Sequence, residues 1–162
     1  DTLSHSIRNA LAIWDVAPER LIIELTETAF IKDLKSASAV CNDMKQQLGI
    51  EISLDDFGLG FSGLEILRYV HANELKVDRT FIDNVLSDQR CLKIVECLIT
   101  LADSLGMRTV AEGIENRETL GVLQELSAPI GQGYFFSRPL AESQITAWLR
   151  ENHEHTNSTS SG

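Results

Sequence analysis

The feature that most constrains the fold is a regular alternation of short apolar runs and longer amphipathic runs. The short runs are rich in branched residues, as in buried strands, and the longer runs have helical periodicity. Predicted strands lie at Leu21–Leu25, Ile50–Leu54, Glu74–Val77, Met107–Ala111 and Ile130–Phe136. Predicted helices lie at Leu3–Trp14, Leu34–Leu48, Ser62–Val70, Cys91–Leu105, Arg117–Leu126 and Glu142–Leu149. Repeated strand–helix units predict an α/β fold with a parallel sheet.

Polar composition separates the C-terminal segment from the rest of the chain. Residues 1–150 carry the strand–helix alternation and are predicted to form one domain. Residues 151–162 are rich in Ser, Thr and Asn, which predicts a disordered polar tail. Within the domain, Gly49 and Gly106 directly follow predicted helices, where a left-handed helix cap is expected.

Charge, hydropathy and cysteine usage restrict the functions that this chain can have. Its formal net charge of −10 argues against binding bulk nucleic acid through a basic face. No apolar stretch reaches the roughly 18 residues that a membrane span needs, so no membrane contact is predicted for this segment. Cys41, Cys91 and Cys97 are odd in number and form no CxxC pair, which indicates reduced thiols in a cytoplasmic protein. The cytosolic part of a larger, membrane-anchored protein fits the same observations.

Each predicted strand runs into polar residues at its carboxyl end. In parallel α/β folds this edge of the sheet is where sites are built, because the following loops open there. Any one of these residues alone also fits a turn, a helix cap or a surface position, but their shared edge predicts one site. The residues are Glu24, Asp55, Asp56, Lys76, Asp78, Glu112 and Gln132.

The predominance of carboxylates at this edge predicts a metal site. Gathered carboxylates repel each other unless cations neutralise them, and hard divalent ions with oxygen ligands are the natural partners. Adjacent carboxylates such as Asp55 and Asp56 can serve two ions. Two ions about 4 Å apart can activate a water and stabilise the departing oxygen of a phosphodiester. Lys76 could hold that water or offset charge on a phosphate.

The same residues lie in five segments that resemble the EAL family of cyclic di-GMP phosphodiesterases. Order and spacing agree with the family over nearly the whole chain, and the family fold is a (β/α)8 TIM-like barrel. About five strand–helix units of that barrel are expected here. The segments are Glu24-Leu25-Thr26-Glu27, Asp55-Asp56-Phe57-Gly58-Leu59-Gly60-Phe61-Ser62, Leu75-Lys76-Val77-Asp78-Arg79, Val110-Ala111-Glu112-Gly113-Ile114-Glu115 and Gly131-Gln132-Gly133-Tyr134-Phe135-Phe136-Ser137-Arg138-Pro139.

The resemblance implies a reaction and a set of metal ligands. The family hydrolyses cyclic di-GMP to linear pGpG with Mg²⁺ or Mn²⁺. Glu24 and Asp55 are implied ligands of a first ion, and Asp55 and Asp56 of a second. Lys76 is implied to position the attacking water. Glu112 is implied to be either a ligand of the second ion or the catalytic base, two roles that stay open.

The resemblance also implies a set of supporting residues around the ligands. Gln132 is expected at the same mouth of the barrel. Glu27 is expected to brace the loop that begins at Asp55, and Glu115 and Asp78 are expected to support the site or the substrate.

Four departures from the family pattern stand out. The E-x-L-x-R signature and the metal-binding Asn of the early strands are absent, so a barrel lacking about three strands is expected. Leu59 stands where Thr or Ala is usual, and Gly63 where Ser is usual. Because an incomplete barrel exposes two sheet edges, self-association or a homodimer is expected. An upstream sensor or GGDEF-type domain is compatible with this arrangement.

Two alternative functions compete with hydrolysis. The chain could be a catalytically inactive EAL-like module that binds cyclic di-GMP or a protein partner as a regulator; the intact acidic set argues against this reading. It could also be a flavodoxin-like receiver, which uses an acidic pocket and a lysine. A receiver's acidic pair follows its first strand and its lysine the last, whereas here Asp55 follows the second predicted strand and Lys76 lies in the third.

Overall fold

A computed structural model describes residues 2–30, 33–59, 63–128 and 130–158. The alternation predicted from the sequence is confirmed, since each predicted strand overlaps an observed one. The strands are β1 (Ile22–Thr26), β2 (Glu51–Phe57), β3 (Glu74–Val77), β4 (Arg108–Glu112) and β5 (Ile130–Gln132). The helices are α1 (Thr2–Ile13), α2 (Leu34–Leu48), α3 (Gly63–Ile66), α4 (Arg79–Ile82), α5 (Gln89–Ser104), α6 (Arg117–Glu125) and α7 (Glu142–Ser158).

All five strands form one parallel sheet in the order β1-β2-β3-β4-β5. Strands that are neighbours in sequence are therefore neighbours in space, as in a TIM-type barrel. The flavodoxin-like alternative is wrong, because that fold places the first strand between the second and third. β1 and β5 lie at the two ends of the strand order.

The two faces of the central strands differ in polarity. On β2, Ile52 and Leu54 belong to the apolar core, which also takes in Met44 and Leu48 of α2. Ser53 alternates with them and therefore faces the opposite side of the sheet, where it is also fully buried. The sheet thus has one apolar face under the helices and one polar inner face.

Glycines end two of the helices as the sequence predicts. Gly49 (φ 75) caps α2 in the left-handed conformation, and its N–H donates to the Lys45 carbonyl oxygen. Gly106 (φ 70) lies just beyond α5 in the same conformation. The side chain of Asp33 accepts from the Ser36 N–H at the start of α2. The two glycines mark the points at which the chain leaves α2 and α5 and turns back toward β2 and β4.

Three elements differ from their predicted lengths by four residues or more. β5 ends at Gln132, four residues before the predicted end, because Gly133 packs against the backbone of Ile114 and the chain turns away. Where a helix was predicted at Ser62–Val70, the structure has only the four-residue α3. α7 extends to Ser158, so the backbone of 151–158 is helical where a disordered tail was expected. That polar segment has no Pro or Gly to stop a helix, and 159–162 lie outside the described residues.

The structure describes the state of the cysteines and shows whether any helix could cross a membrane. Cys41, Cys91 and Cys97 are all free thiols, with Cys41 buried and Cys97 exposed. Burial raises the pKa of the Cys41 thiol, so that thiol stays protonated at neutral pH. Within the part of the chain that the structure describes, no helix combines the length and apolarity that crossing a bilayer requires.

Candidate active site

Lys76 lies at the centre of a charged cluster on the inner face of the sheet. Its Nζ is 2.9 Å from Glu24 Oε1, 2.9 Å from Asp55 Oδ1 and 2.8 Å from Glu112 Oε1. The Lys76 side chain is only 6% exposed, whereas Glu24 is 54% exposed. The three carboxylates lie on β1, β2 and β4, and Lys76 lies on β3. Side chains from three strands therefore contact the ammonium group of a fourth.

Strand register explains why these residues meet. Residues paired directly across a parallel ladder share a face of the sheet, and so do residues two apart on one strand. Glu24 pairs with Ser53, which precedes Asp55 by two positions. Ser53 also pairs with Glu74, which precedes Lys76 by two positions. The same steps continue through the pairs Lys76–Val110 and Glu112–Gln132.

A second feature of the site is a group of three acidic residues. Asp55, Asp56 and Glu112 each offer a carboxylate oxygen, and these oxygens lie within 4.8 Å of one another. Consecutive strand residues ordinarily face opposite sides of a sheet. Here β2 changes register between Leu54 and Phe57, and Asp56 adopts a left-handed backbone (φ 54). This irregularity brings the Asp56 carboxylate within reach of the inner face.

The donor set suits a hard divalent cation. Mg²⁺ and Mn²⁺ prefer carboxylate oxygens, and this group supplies oxygen atoms only. Glu24 adjoins the group through its contact with Lys76. The residues present therefore fit the metal site that the sequence predicts.

Burial and charge shift the proton affinities of two groups in the cluster. Burial by itself lowers the pKa of Lys76, but hydrogen bonds to Glu112, Glu24 and Asp55 outweigh it and hold the pKa above its usual range. Lys76 is therefore a cation throughout the neutral range. Burial also raises the pKa of Glu112 above its ordinary value, even though Lys76 works in the other direction. The charges of Asp55 and Asp56 raise the pKa of Glu112 further.

The predicted supporting residues occupy different places around this cluster. Gln132 pairs with Glu112 across β4 and β5, and both line a cavity of about 250 Å³. Glu115 lines the same cavity and pairs with Arg79, whose Nη2 is 2.7 Å from Glu115 Oε1. Asp78 caps α4 by accepting from the Thr80 N–H at 2.7 Å, which gives it a structural contact.

Part of the predicted brace lies beyond what the structure describes. Glu27 begins a short 3-10 turn (Glu27–Phe30), and its side chain is outside the described residues. Residues 60–62 of the loop after β2 are outside them as well. The bracing role of Glu27 stays a prediction.

Sequence reasoning assigned no role to Arg79. Its side chain reaches the loop that follows Glu112, where it contacts Glu115 and lies against Gly113. The one available signal was its position, a cation at the carboxyl end of β3 directly after Asp78.

Comparison with known proteins gives matches over most of the chain. The family described as EAL domain matches residues 2–139. The cyclic di-GMP phosphodiesterase NbdA of Pseudomonas aeruginosa is 36% identical over 149 residues, covering 92% of this chain and 19% of that protein. The bifunctional diguanylate cyclase/cyclic di-GMP phosphodiesterase MucR of the same species is 37% identical over 145 residues, covering 90% and 21%. The chain thus spans about a fifth of the length of these curated relatives.

Solved structures match equally well. The phosphodiesterase PaMucR in complex with c-di-GMP superposes with a TM-score of 0.81 at 35% identity. That match covers 88% of this chain and 57% of the other. Klebsiella pneumoniae BlrP1 in complex with manganese and cyclic di-GMP gives a TM-score of 0.78 at 30% identity, covering 83% of this chain and 34% of the other.

Proposed function

The chain belongs to the EAL family, and on that premise we propose that it takes part in metal-dependent hydrolysis of cyclic di-GMP to linear pGpG. The observation that carries the proposal is the convergence of Glu24, Asp55 and Glu112 on Lys76 at the carboxyl edge of the sheet. Relatives that share this part of the chain are named as cyclic di-GMP phosphodiesterases or bind cyclic di-GMP in solved structures.

The acidic residues of the cluster are proposed to hold two Mg²⁺ or Mn²⁺ ions. Glu24 and Asp55 would hold one ion, and Asp55 and Asp56 the other, with Glu112 close to the second pair. Bound divalent ions supply a water of lowered pKa and neutralise charge on phosphate oxygens. A solved relative contains manganese together with cyclic di-GMP, which supports this choice of metal.

Lys76 is proposed to donate a hydrogen bond to the attacking water or to a phosphate oxygen, with the N–H that becomes free when one of its three carboxylate partners binds a cation instead. Its three carboxylate partners keep it protonated and fix the position of Nζ. A donor fixed in this way stabilises developing negative charge without reorganising during the reaction. Lys76 therefore acts as a donor, since a lysine whose pKa is raised does not accept a proton at neutral pH.

Glu112 has two roles that fit its position, metal ligand and proton acceptor. It lies both in the acidic group and in contact with Lys76. The variant Glu112→Gln separates them when Mn²⁺ binding and turnover are measured on the same sample. Lost turnover with unchanged Mn²⁺ binding identifies a proton acceptor, and weakened Mn²⁺ binding identifies a ligand.

We propose that this chain acts within a larger cytoplasmic signalling protein that self-associates. β1 and β5 end the strand order, and unpaired sheet edges favour pairing with further strands. The chain matches only about a fifth of NbdA and MucR, and MucR also carries diguanylate cyclase activity by its name. An upstream sensor or GGDEF-type domain fits this organisation.

The test is to incubate the full-length protein with cyclic di-GMP and Mn²⁺ and to follow pGpG by chromatography, with EDTA as the metal-free control. Formation of pGpG that EDTA abolishes supports the proposal. Binding of cyclic di-GMP without turnover in either condition overturns it in favour of the regulatory module. Repeating the assay with residues 1–162 alone shows whether this chain is active without the rest of the protein.

A further inference from the structure

The loop that follows β4 carries Glu112 and is held by a residue outside the acidic cluster. Arg79, the first residue of α4, places its Nε 2.9 Å from Asp83 Oδ2 and its Nη2 2.7 Å from Glu115 Oε1. The guanidinium group therefore ties the far end of the 112–115 loop to α4. Both partners belong to the chain segments that directly follow β3 and β4.

The aliphatic part of Arg79 lies on the near end of the same loop. Gly113, which follows Glu112, has a left-handed backbone (φ 77). A Cβ atom at Gly113 would lie 2.8 Å from Arg79 Cβ and 2.9 Å from Arg79 Cδ, closer than such atoms can approach. The Arg79 side chain thus occupies the space beside Gly113 and leaves no room for another side chain there.

The opposite side of the loop is held by backbone contacts with β5 and the turn after it. The Ile114 N–H donates to the Gln132 carbonyl oxygen at 3.0 Å, and the Phe135 N–H donates to the Ile114 carbonyl oxygen at 2.9 Å. A Cβ atom at Gly133 would lie 2.7 Å from the Ile114 carbonyl carbon. The 112–115 loop therefore lies between the turn after β5 and Arg79. The turn contacts the loop through the backbone, whereas Arg79 contacts it through a side chain.

We propose that Arg79 is a positioning residue, which sets the position of the Glu112 carboxylate by holding Gly113 and Glu115 in place. This inference rests on the proposed function, because Glu112 is the group in the metal site that the loop carries. Without the Arg79 side chain, the loop gains space beside Gly113 and loses its tie at Glu115. Glu112 can then move away from Asp55 and Asp56, and the three carboxylates no longer share a cation equally well.

A merely structural role for Arg79 makes a different prediction. The Arg79 side chain is 52% exposed, and its partners Asp83 and Glu115 are 42% and 44% exposed. Exposed ion pairs of this kind contribute little to stability. A structural role therefore leaves metal affinity unchanged, whereas loss of a residue that orients a metal ligand lowers metal affinity or activity by about 10–100-fold.

The experiment compares Arg79→Ala, Arg79→Met and Lys93→Met in the full-length protein. Arg79→Met keeps an aliphatic side chain beside Gly113 but removes the charge, whereas Arg79→Ala removes both. Lys93→Met is the matched control, because Lys93 also forms an exposed ion pair, with Glu96 on the outer helix α5. Mn²⁺ affinity is measured from the EPR signal of free Mn²⁺, turnover from pGpG formation, and folding from circular dichroism.

The expected result is a graded weakening of Mn²⁺ binding. Arg79→Ala weakens it by about 10-fold or more, Arg79→Met by less, and Lys93→Met not at all, while all three remain folded. Wild-type Mn²⁺ affinity in Arg79→Ala overturns the inference, and so does a loss that merely follows the loss of folded protein. The EPR measurement needs no turnover, so an inactive wild type contradicts the proposed function without deciding the role of Arg79.

Discussion

The inner face of the sheet carries a charged cluster at each end of its strands, and each cluster surrounds one basic residue. At the amino end, Arg108 at the start of β4 pairs with Glu51 of β2 and lies 3.5 Å from Glu74 of β3. Ser53 donates to Glu74 at 2.9 Å. At the carboxyl end, Lys76 contacts Glu24, Asp55 and Glu112, and Asp56 lies close to two of them.

The two clusters differ in charge balance and in backbone geometry. The amino-end cluster sets one guanidinium against two carboxylates, and a hydroxyl supplies Glu74 with a further hydrogen bond. At the carboxyl end the Lys76 ammonium contacts three carboxylates, and Asp56, which has a left-handed backbone, lies close to two of them. Strained backbone and excess negative charge persist where a ligand compensates for them. The comparison is consistent with a stabilising role for the amino-end cluster and with the cation-binding role proposed for the carboxyl-end cluster.

The largest effect is expected from Asp55→Asn at the carboxyl end. This change removes a charge from the group proposed to bind both ions, so Mn²⁺-dependent turnover should fall by about 10³-fold or more, equivalent to about 4 kcal/mol. Formation of pGpG by the full-length protein measures it. The matched control is Glu51→Gln on the same face of β2, which should keep turnover within about 3-fold, a free-energy change well under 1 kcal/mol. Wild-type turnover in Asp55→Asn would remove the metal assignment.

Lys76→Met should reduce both activity and stability. Turnover should fall by about 10²-fold because a fixed donor is lost. Removing the cation leaves its carboxylates facing each other and should lower the free energy of unfolding by about 2 kcal/mol, less than for a fully buried pair because Glu24 is exposed. Chemical denaturation with and without Mn²⁺ measures this change.

Mn²⁺ provides a further test of the Lys76→Met variant. A ligand that binds only the folded state stabilises it, by about 2.7 kcal/mol at a hundredfold excess over the dissociation constant. Because the variant lacks the Lys76 cation, its carboxylates carry more uncompensated negative charge, so Mn²⁺ should bind the variant more tightly than the wild type and return part of the stability that the variant loses. An equal loss of stability with and without Mn²⁺ would contradict the proposal that these carboxylates bind divalent cations.

A matched pair of glycine substitutions sharpens the comparison between the two ends. Gly49 (φ 75) and Gly113 (φ 77) have nearly the same left-handed backbone, so the backbone strain of an alanine should cost about 1 kcal/mol of stability at either position. A Cβ at Gly49 meets Pro18 at an ordinary 3.7 Å, whereas one at Gly113 collides with Arg79. Gly113→Ala should therefore also lower turnover by about 10-fold, while Gly49→Ala leaves it unchanged. Thermal unfolding and pGpG assays distinguish these outcomes, and equal turnover in both variants would contradict the comparison.

The smallest effect on activity is expected from Arg108→Met at the amino end. Glu74 is buried and would keep Ser53 as a partner, so the loss of stability should be about 1 kcal/mol. Turnover and the Mn²⁺ concentration for half-maximal activity should stay at wild-type values. A marked rise in that Mn²⁺ concentration would mean that the two clusters are coupled through the sheet.

Most of the site could be predicted from sequence because its residues occupy equivalent positions on successive strands. Glu24, Lys76 and Glu112 were identified from apolar runs that end in polar residues, and the parallel sheet brings those ends to one edge. The fold class followed from the same alternation. The role of Asp56 was less accessible, because its approach to the inner face depends on the register change in β2.

Other features depended on contacts that no local pattern encodes. The short length of β5 results from the packing of Gly133 against Ile114, although Tyr134, Phe135 and Phe136 continue the apolar run. The amino-end cluster, in which Glu51 and Arg108 are 57 residues apart, was not predicted from the sequence. Its members begin strands, a position where charged residues are common and carry no particular signal.

By itself the sequence determined the order of strands and helices, the helix caps and the set of acidic residues at the strand ends. These features depend on periodicity and on neighbouring residues, which the chain carries locally. Only the tertiary structure decided that Lys76 contacts three carboxylates at once and that Arg79 holds the loop after Glu112. Lys76 and Glu24 are 52 residues apart, and their contact exists because strand pairing and register bring distant segments within hydrogen-bonding distance.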